Sequence, residues 1–133
     1  MTHRILIAED DPVFRHLLDF TLKRAGFHVV VASDGNVAAE YLTANPIDFI
    51  VTDHQMPGCS GEELLRMLRA KGEQPPTILC TAKGWELDHD RLMEEHQLIG
   101  ILSKPFSPSK LVRMIQDHFQ TIEAQGIEAG AHG

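Results

Sequence analysis

Cysteine is scarce in this 133-residue chain: there are two, Cys59 and Cys80, and neither stands in a Cys-x-x-Cys or Cys/His spacing. That excludes a disulfide-stapled scaffold and a thiolate metal centre, and both residues are expected to be free thiols. Positive charge is also short. Lys+Arg number 12 against 19 Asp+Glu, a formal net charge of −7. A chain this acidic offers no basic face, so nucleic acid is not an expected partner. No apolar run approaches the ~20 residues that a membrane-spanning helix needs. The start, Met1-Thr2-His3-Arg4, lacks an apolar stretch leading to a small-residue cleavage site. The expectation is a cytoplasmic protein with no membrane partner. Apolar residues are plentiful, at 43%, enough to bury a core in one domain of this length.

Strand-like and helix-like segments alternate along the chain. Arg4 to Ala8 is a short apolar strand that ends in acids. Asp11-Pro12 starts a helix, with Asp as N-cap and Pro in the first helical position. Phe14, Leu17, Leu18, Leu22 and Ala25 then recur at helical spacing until Gly26. His28 to Ala32 is a second strand, and Asp34 to Ala44 a second helix stopped by Asn45-Pro46. Ile47 to Thr52 is a third strand ending at Asp53, followed by a Met56-Pro57-Gly58 turn and a helix over 62–70. Thr77 to Cys80 and Gly100 to Ser103 are the fourth and fifth strands, with a polar, acidic segment from Trp85 to Gln97 between them. That segment predicts a helix only weakly. Ser107-Pro108 opens a last helix whose apolar positions run to Ile122. One domain over 1–122 with a disordered tail over 123–133 is expected.

Five strands alternating with helices predict an α/β fold: a doubly wound parallel sheet with helices on both faces. Ligands of such sheets sit beyond the carboxyl ends of the strands. The residues standing there are Glu9, Asp10 and Asp11 after the first strand, Asp53 after the third, Thr81 after the fourth and Lys104 after the fifth. Converging carboxylates repel one another unless a cation joins them. Oxygen-only donors suit Mg²⁺, which takes one or two carboxylates plus phosphate oxygens. A hydroxyl and an ammonium beside them suit the oxygens of a phosphoryl group.

Glu9-Asp10-Asp11-Pro12 with Arg15, Val51-Thr52-Asp53 through Met56-Pro57-Gly58 to Gly61, Thr81-Ala82, and Ser103-Lys104-Pro105-Phe106 together resemble the receiver domains of bacterial response regulators. The resemblance covers roughly residues 3 to 122. It implies a flavodoxin-like sheet of order 2-1-3-4-5 and a two-component phosphorelay function. Asp53 would be the phosphoacceptor. Asp10 and Asp53 would touch Mg²⁺ directly, Glu9 through water, and the backbone carbonyl of Gln55 would complete the protein's share. Thr81 and Lys104 would contact the phosphoryl oxygens, and the Lys104–Pro105 bond would be cis. The implied donor is a phosphohistidine on a sensor histidine kinase or phosphotransfer protein, and the implied output a downstream protein target. The protein itself would be a monomer or a weak, phosphorylation-dependent dimer. It would catalyse only its own phosphorylation and dephosphorylation, and, unless the chain is a piece of a longer regulator, it would signal through its own surface.

Several residues keep plainer roles. Asp11 is assigned to capping, and His54 is an ordinary loop histidine. Gln55 and Lys83 flank the expected site and would tune phosphate lifetime. Ile101 stands where the resembled family often has Tyr or Phe, so the response to phosphorylation is expected in the segment holding Trp85, not in a side-chain swing at 101. Ser60-Gly61 replaces a commoner Asp-Gly. Two alternative readings differ at these same positions. A turnover hydrolase with an aspartyl nucleophile would carry a second Asp where Gln55 stands. A receiver-like binding module that is never phosphorylated would have lost an acid, the Thr or the Lys.

Overall fold

The structure is a computed structural model that describes residues 2–72 and 74–132. In chain order it runs β1 (Arg4–Ala8), α1 (Pro12–Arg24), β2 (His28–Ala32), α2 (Gly35–Ala44), β3 (Phe49–Asp53), α3 (Gly61–Ala70), β4 (Thr77–Thr81), a 3₁₀ turn (Gly84–Glu86), α4 (His89–His96), β5 (Gly100–Ser103) and α5 (Pro108–His132). The strands pair in parallel in the order β2-β1-β3-β4-β5. This is the doubly wound sheet that the alternating pattern predicts, in the flavodoxin-like order that the resemblance implies.

Strand residues alternate between two cores, one on each face of the sheet. Leu6 and Ala8 of β1, Ile50 of β3 and Leu79 of β4 pack with Ala38, Leu42, Leu64, Leu65, Leu68 and Leu92 from α2, α3 and α4. Ile5, Ile7, Phe49, Val51, Ile78 and Cys80 pack with Leu18, Leu22, Leu111, Ile115 and Phe119 from α1 and α5. Central strands flanked by helices on both sides are covered on both faces, and β3 and β4 are buried from end to end. Four helices begin on a side-chain cap. Asp11, Asp34, Ser60 and Asp88 accept from the backbone N–H groups of Val13, Val37, Glu63 and Arg91, each such cap contributing ~1 kcal/mol. Both cysteines are buried free thiols, and burial raises the pKa of each.

Three element boundaries differ from the sequence pattern. β3 begins at Phe49, not Ile47, and includes Asp53. Asp48 is used instead to satisfy the neighbouring strand end: its carboxylate accepts the Arg4 N–H at 2.7 Å. The acidic segment before β5 is not one helix. Leu87 is extended, with φ −92° and ψ 148°, and Asp88 caps a fresh start, so the 3₁₀ turn and α4 are separate. The last helix, whose apolar positions end at Ile122, runs on to His132 as α5. Glu123, Ala124 and Gln125 are good helix formers with no proline among them, so the helix outlasts its apolar stripe. Residue 133 lies outside the described residues.

Close approach, rather than unusual backbone, explains Gly61 at the start of α3. A Cβ there would lie 2.4 Å from the carbonyl oxygen of Asp53. Only a residue without a side chain lets α3 pack against the end of β3, where the Gly61 N–H also bonds the His54 carbonyl at 3.0 Å. Gly61→Ala is expected to cost about 1–3 kcal/mol, read as a lower urea midpoint. An unchanged midpoint would contradict this reason for the glycine.

Candidate functional site

Each strand of a parallel sheet ends on the same edge, so residues far apart in sequence meet there. β1 and β3 are neighbours, with Ala8 opposite Thr52. Glu9 and Asp10 therefore emerge beside Asp53. β4 and β5 are neighbours with Thr81 opposite Ser103, which brings Lys104 to the same edge. The structure gathers one carboxylate oxygen from each of Glu9, Asp10 and Asp53 within 4.8 Å of one another. Into this group reaches Lys104, whose Nζ donates to Glu9 Oε1 at 2.5 Å and lies 3.4 Å from Asp53 Oδ2.

The side chains differ in how tightly they are held. Glu9 is 2% exposed, and its second oxygen accepts the Asp11 N–H at 3.1 Å. Arg15 donates to the Glu9 carbonyl at 3.0 Å. Asp53 is buried and Asp10 is exposed. Lys104 is positioned twice over: its N–H donates to the Thr81 carbonyl at 2.7 Å, and its ammonium lies 4.8 Å from the Phe14 ring centroid. The bond from Lys104 to Pro105 is cis. Thr81 is buried, and its hydroxyl accepts the Lys83 N–H at 3.0 Å. Gln55 and Lys83 are exposed, Gln55 in the bend after Asp53. Asp11 is the α1 cap that the sequence assigned it to be.

The electrostatics follow from this packing. Burial, then the Glu9 charge, push the Asp53 carboxyl up to about 6 against the pull of Lys104. Burial disfavours the Lys104 ammonium, but its bond to Glu9 and the charge of Asp53 outweigh that and raise its pKa. A carboxyl held so far above its ordinary range lacks positive charge. The donors are oxygens only, one of the three acids is open to water, and the group stays anionic after Lys104 is counted. That set fits a hard divalent cation such as Mg²⁺.

Sequence reasoning passed over one neighbouring group. His54 Nε2 lies 3.1 Å from Glu62 Oε1, and His96 Nε2 lies 3.0 Å from Glu62 Oε2. Burial would raise the pKa of Glu62, but the bonds to His96 and His54 outweigh it and pull it down to about 2. The partners are 8 and 34 residues apart, and no local pattern joins them.

Comparison with known proteins agrees with this geometry. A family model described as the response regulator receiver domain matches residues 5–116. The chain is 33% identical over 130 residues to the phosphate regulon transcriptional regulatory protein PhoB of Klebsiella pneumoniae, a match covering 96% of this chain and 56% of that protein. The chain thus spans little more than half the length of the curated relatives it matches. Among solved structures, the Francisella response regulator 1452 receiver domain aligns with a TM-score of 0.79 and 27% identity, covering 90% of this chain and 99% of that one. The receiver domain of the sensor histidine kinase PA1611 from Pseudomonas aeruginosa PAO1 aligns with a TM-score of 0.77 and 28% identity, over 88% of this chain and 97% of that one. Its structure has a magnesium ion coordinated in the active site cleft.

The raised Asp53 value has a sign that stability can report. An acid whose pKa rises from 3.8 to about 6 on folding contributes stability that is present below 3.8 and lost as pH climbs through about 6. Asp53→Asn, which stays neutral, escapes that loss. In chelator, it is expected to have a higher urea midpoint than wild type at about pH 7.5, with the gap closing toward about pH 4. A gap independent of pH would contradict the assignment.

Proposed function

The chain belongs to the response regulator receiver domain family, and from that premise we propose that it accepts a phosphoryl group on Asp53 from a phosphohistidine of a sensor kinase or phosphotransfer protein. The observation that carries the reading is the convergence of Glu9, Asp10 and Asp53 with Lys104 at the carboxyl edge of the sheet. An Asp53 oxygen attacks phosphorus as the phosphorus–nitrogen bond breaks, and the leaving imidazole keeps the electron pair and takes a proton. Asp53 must be ionised to attack, and at neutral pH a group with a pKa of about 6 is mostly carboxylate.

Glu9, Asp10 and Asp53, with the backbone carbonyl of Gln55, would hold Mg²⁺. When bound, that ion supplies positive charge beside the phosphoryl oxygens. Lys104 is already within 3.4 Å of Asp53, so a small shift away from Glu9 brings its ammonium onto a phosphoryl oxygen. The Thr81 hydroxyl, whose oxygen accepts the Lys83 N–H, keeps its own proton to donate to another. Gln55 and Lys83, both exposed, stand on the water side and set how long the acyl phosphate lasts. The phosphorylated domain then acts on a downstream protein target, in the cytoplasm, as a monomer or weak dimer. Among the described residues no helix is long and apolar enough to cross a membrane.

Incubation with Mg²⁺ and a small phosphodonor, followed by intact mass, tests the nucleophile. Wild type is expected to gain one phosphoryl group and Asp53→Asn none, while Lys104→Ala labels ~10²-fold more slowly. Gln55 and Lys83 substitutions are expected to change the lifetime several-fold without blocking labelling. Labelling of Asp53→Asn at the wild-type rate would overturn the proposal.

Trp85 offers a readout of the response. It is 85% exposed in the 3₁₀ turn, four residues beyond Thr81. Ile101 packs, partly buried, against the core on one face of the sheet and has little room to report a change. Trp85 emission is expected to shift on adding Mg²⁺ with a phosphoryl mimic, and Thr81→Ala to reduce the shift. Flat emission at full occupancy would place the response elsewhere.

A further inference from the structure

Outside the phosphoacceptor cluster a second group of ligating side chains joins α3 to α4, and the proposed reaction does not use it. Glu62 stands in the first turn of α3, and Glu95 and His96 end α4. One ligand atom from each of these three lies within 4.8 Å of the others. We propose that Glu62, Glu95 and His96 form a site for a divalent transition-metal ion of the Zn²⁺ or Co²⁺ type, clamping α3 to α4, with His54 orienting Glu62 from behind.

The donor set separates this site from the first one. An imidazole with two carboxylates suits borderline metals, where the oxygen-only group suits Mg²⁺. Three protein ligands with an open position is a common arrangement for such ions. The distances fit. Atoms facing one another across a metal with ~2.1 Å bonds are at most ~4.2 Å apart, and His96 Nε2 already stands 3.0 Å from Glu62 Oε2. Only Glu95 must close in, and its side chain is 35% exposed and free to rotate toward the pair. His96 is fully buried, so its ring is fixed with Nε2 presented to the site. Its Nδ1 has no hydrogen-bond partner, so the neutral ring can carry its proton there and leave the Nε2 lone pair for a metal. His54, on the other oxygen of Glu62, supplies the outer contact that holds a ligating carboxylate in place.

A resident cation marks the spot. The Arg91 guanidinium bridges the two carboxylates, 2.5 Å from Glu95 Oε2 and 3.6 Å from Glu62 Oε1. Its side chain is 48% exposed, so it can swing into water when an ion arrives. Arg66, 53% exposed, pairs with Glu62 Oε2 at 3.0 Å and is the second group the ion must outcompete. Arginine and metal thus compete for one position, which gives the test opposite signs for neighbouring residues.

The full chain, with Mg²⁺ saturating throughout, is titrated with Co²⁺ by calorimetry and visible absorption, and Zn²⁺ then competes. One equivalent is expected to bind. Glu95→Gln and His96→Gln are each expected to weaken it at least tenfold, and Arg91→Gln to strengthen it several-fold. Should His96→Gln fail to fold, Glu95→Gln at its surface position decides. Absence of binding, or equal affinity in wild type and Glu95→Gln, which would mean adventitious binding by other histidines, overturns the proposal. So does weaker binding by Arg91→Gln.

Discussion

A single ammonium sits among three carboxylates at one edge of the sheet, and the rest of the site is arranged around that imbalance. Lys104 bonds Glu9 at 2.5 Å and stands 3.4 Å from Asp53. Unit charges about 4 Å apart interact by roughly 4 kcal/mol at the effective dielectric near a protein surface, so neither the repulsion between acids nor the attraction to the lysine is negligible. Three carboxylates and one ammonium leave two negative charges, the amount one divalent cation cancels. Without it, the deficit falls on the group that is buried and poorly paired, and Asp53 holds its proton up to about 6. The same imbalance makes Lys104 available: Glu9 has a second partner in the Asp11 N–H and does not depend on the lysine alone.

The scaffold matters because it fixes where those charges stand. Parallel strands put Glu9, Asp53, Thr81 and Lys104 on one edge. The Lys104 N–H on the Thr81 carbonyl ties the end of β4 to the residue that follows β5. Gly61 lets α3 approach the Asp53 carbonyl, and Gly84, whose Cβ would meet Ser103 Oγ, brings the segment after β4 against the end of β5. The elements around the site are therefore closely packed at these two glycines, where small changes are felt. The segment after Thr81 is different: a 3₁₀ turn, an extended Leu87 and a short helix. It joins the rigid edge to α4, and it is where a response can be taken up at lower cost.

Much of this was legible in the sequence, and the reason is physical. Strand ends in a doubly wound sheet are functional positions, so acids after β1 and β3, a threonine after β4 and a lysine after β5 stand out once the strands are found. Strands and helices were found because apolar runs and helical spacing are local signals, and caps such as Asp11-Pro12 mark helix starts directly. What was missed depends on side chains meeting across the fold. His96 reads as one polar residue in an acidic helix, yet it is fully buried with its ring on Glu62. His54 reads as a loop histidine for the same reason. The break at Leu87 and the length of α5 were missed because both run against periodicity: one interrupts a helix without glycine or proline, and the other continues a helix without an apolar face.

The most direct test of the charge imbalance is the titration of the Asp53 carboxyl carbon by NMR, with and without Mg²⁺. In chelator the inflection is expected near 6, as burial and Glu9 dictate, and with saturating Mg²⁺ it is expected to move well below the ordinary aspartate range. An inflection near the ordinary 3.8 in chelator, or one that Mg²⁺ leaves in place, would contradict the account.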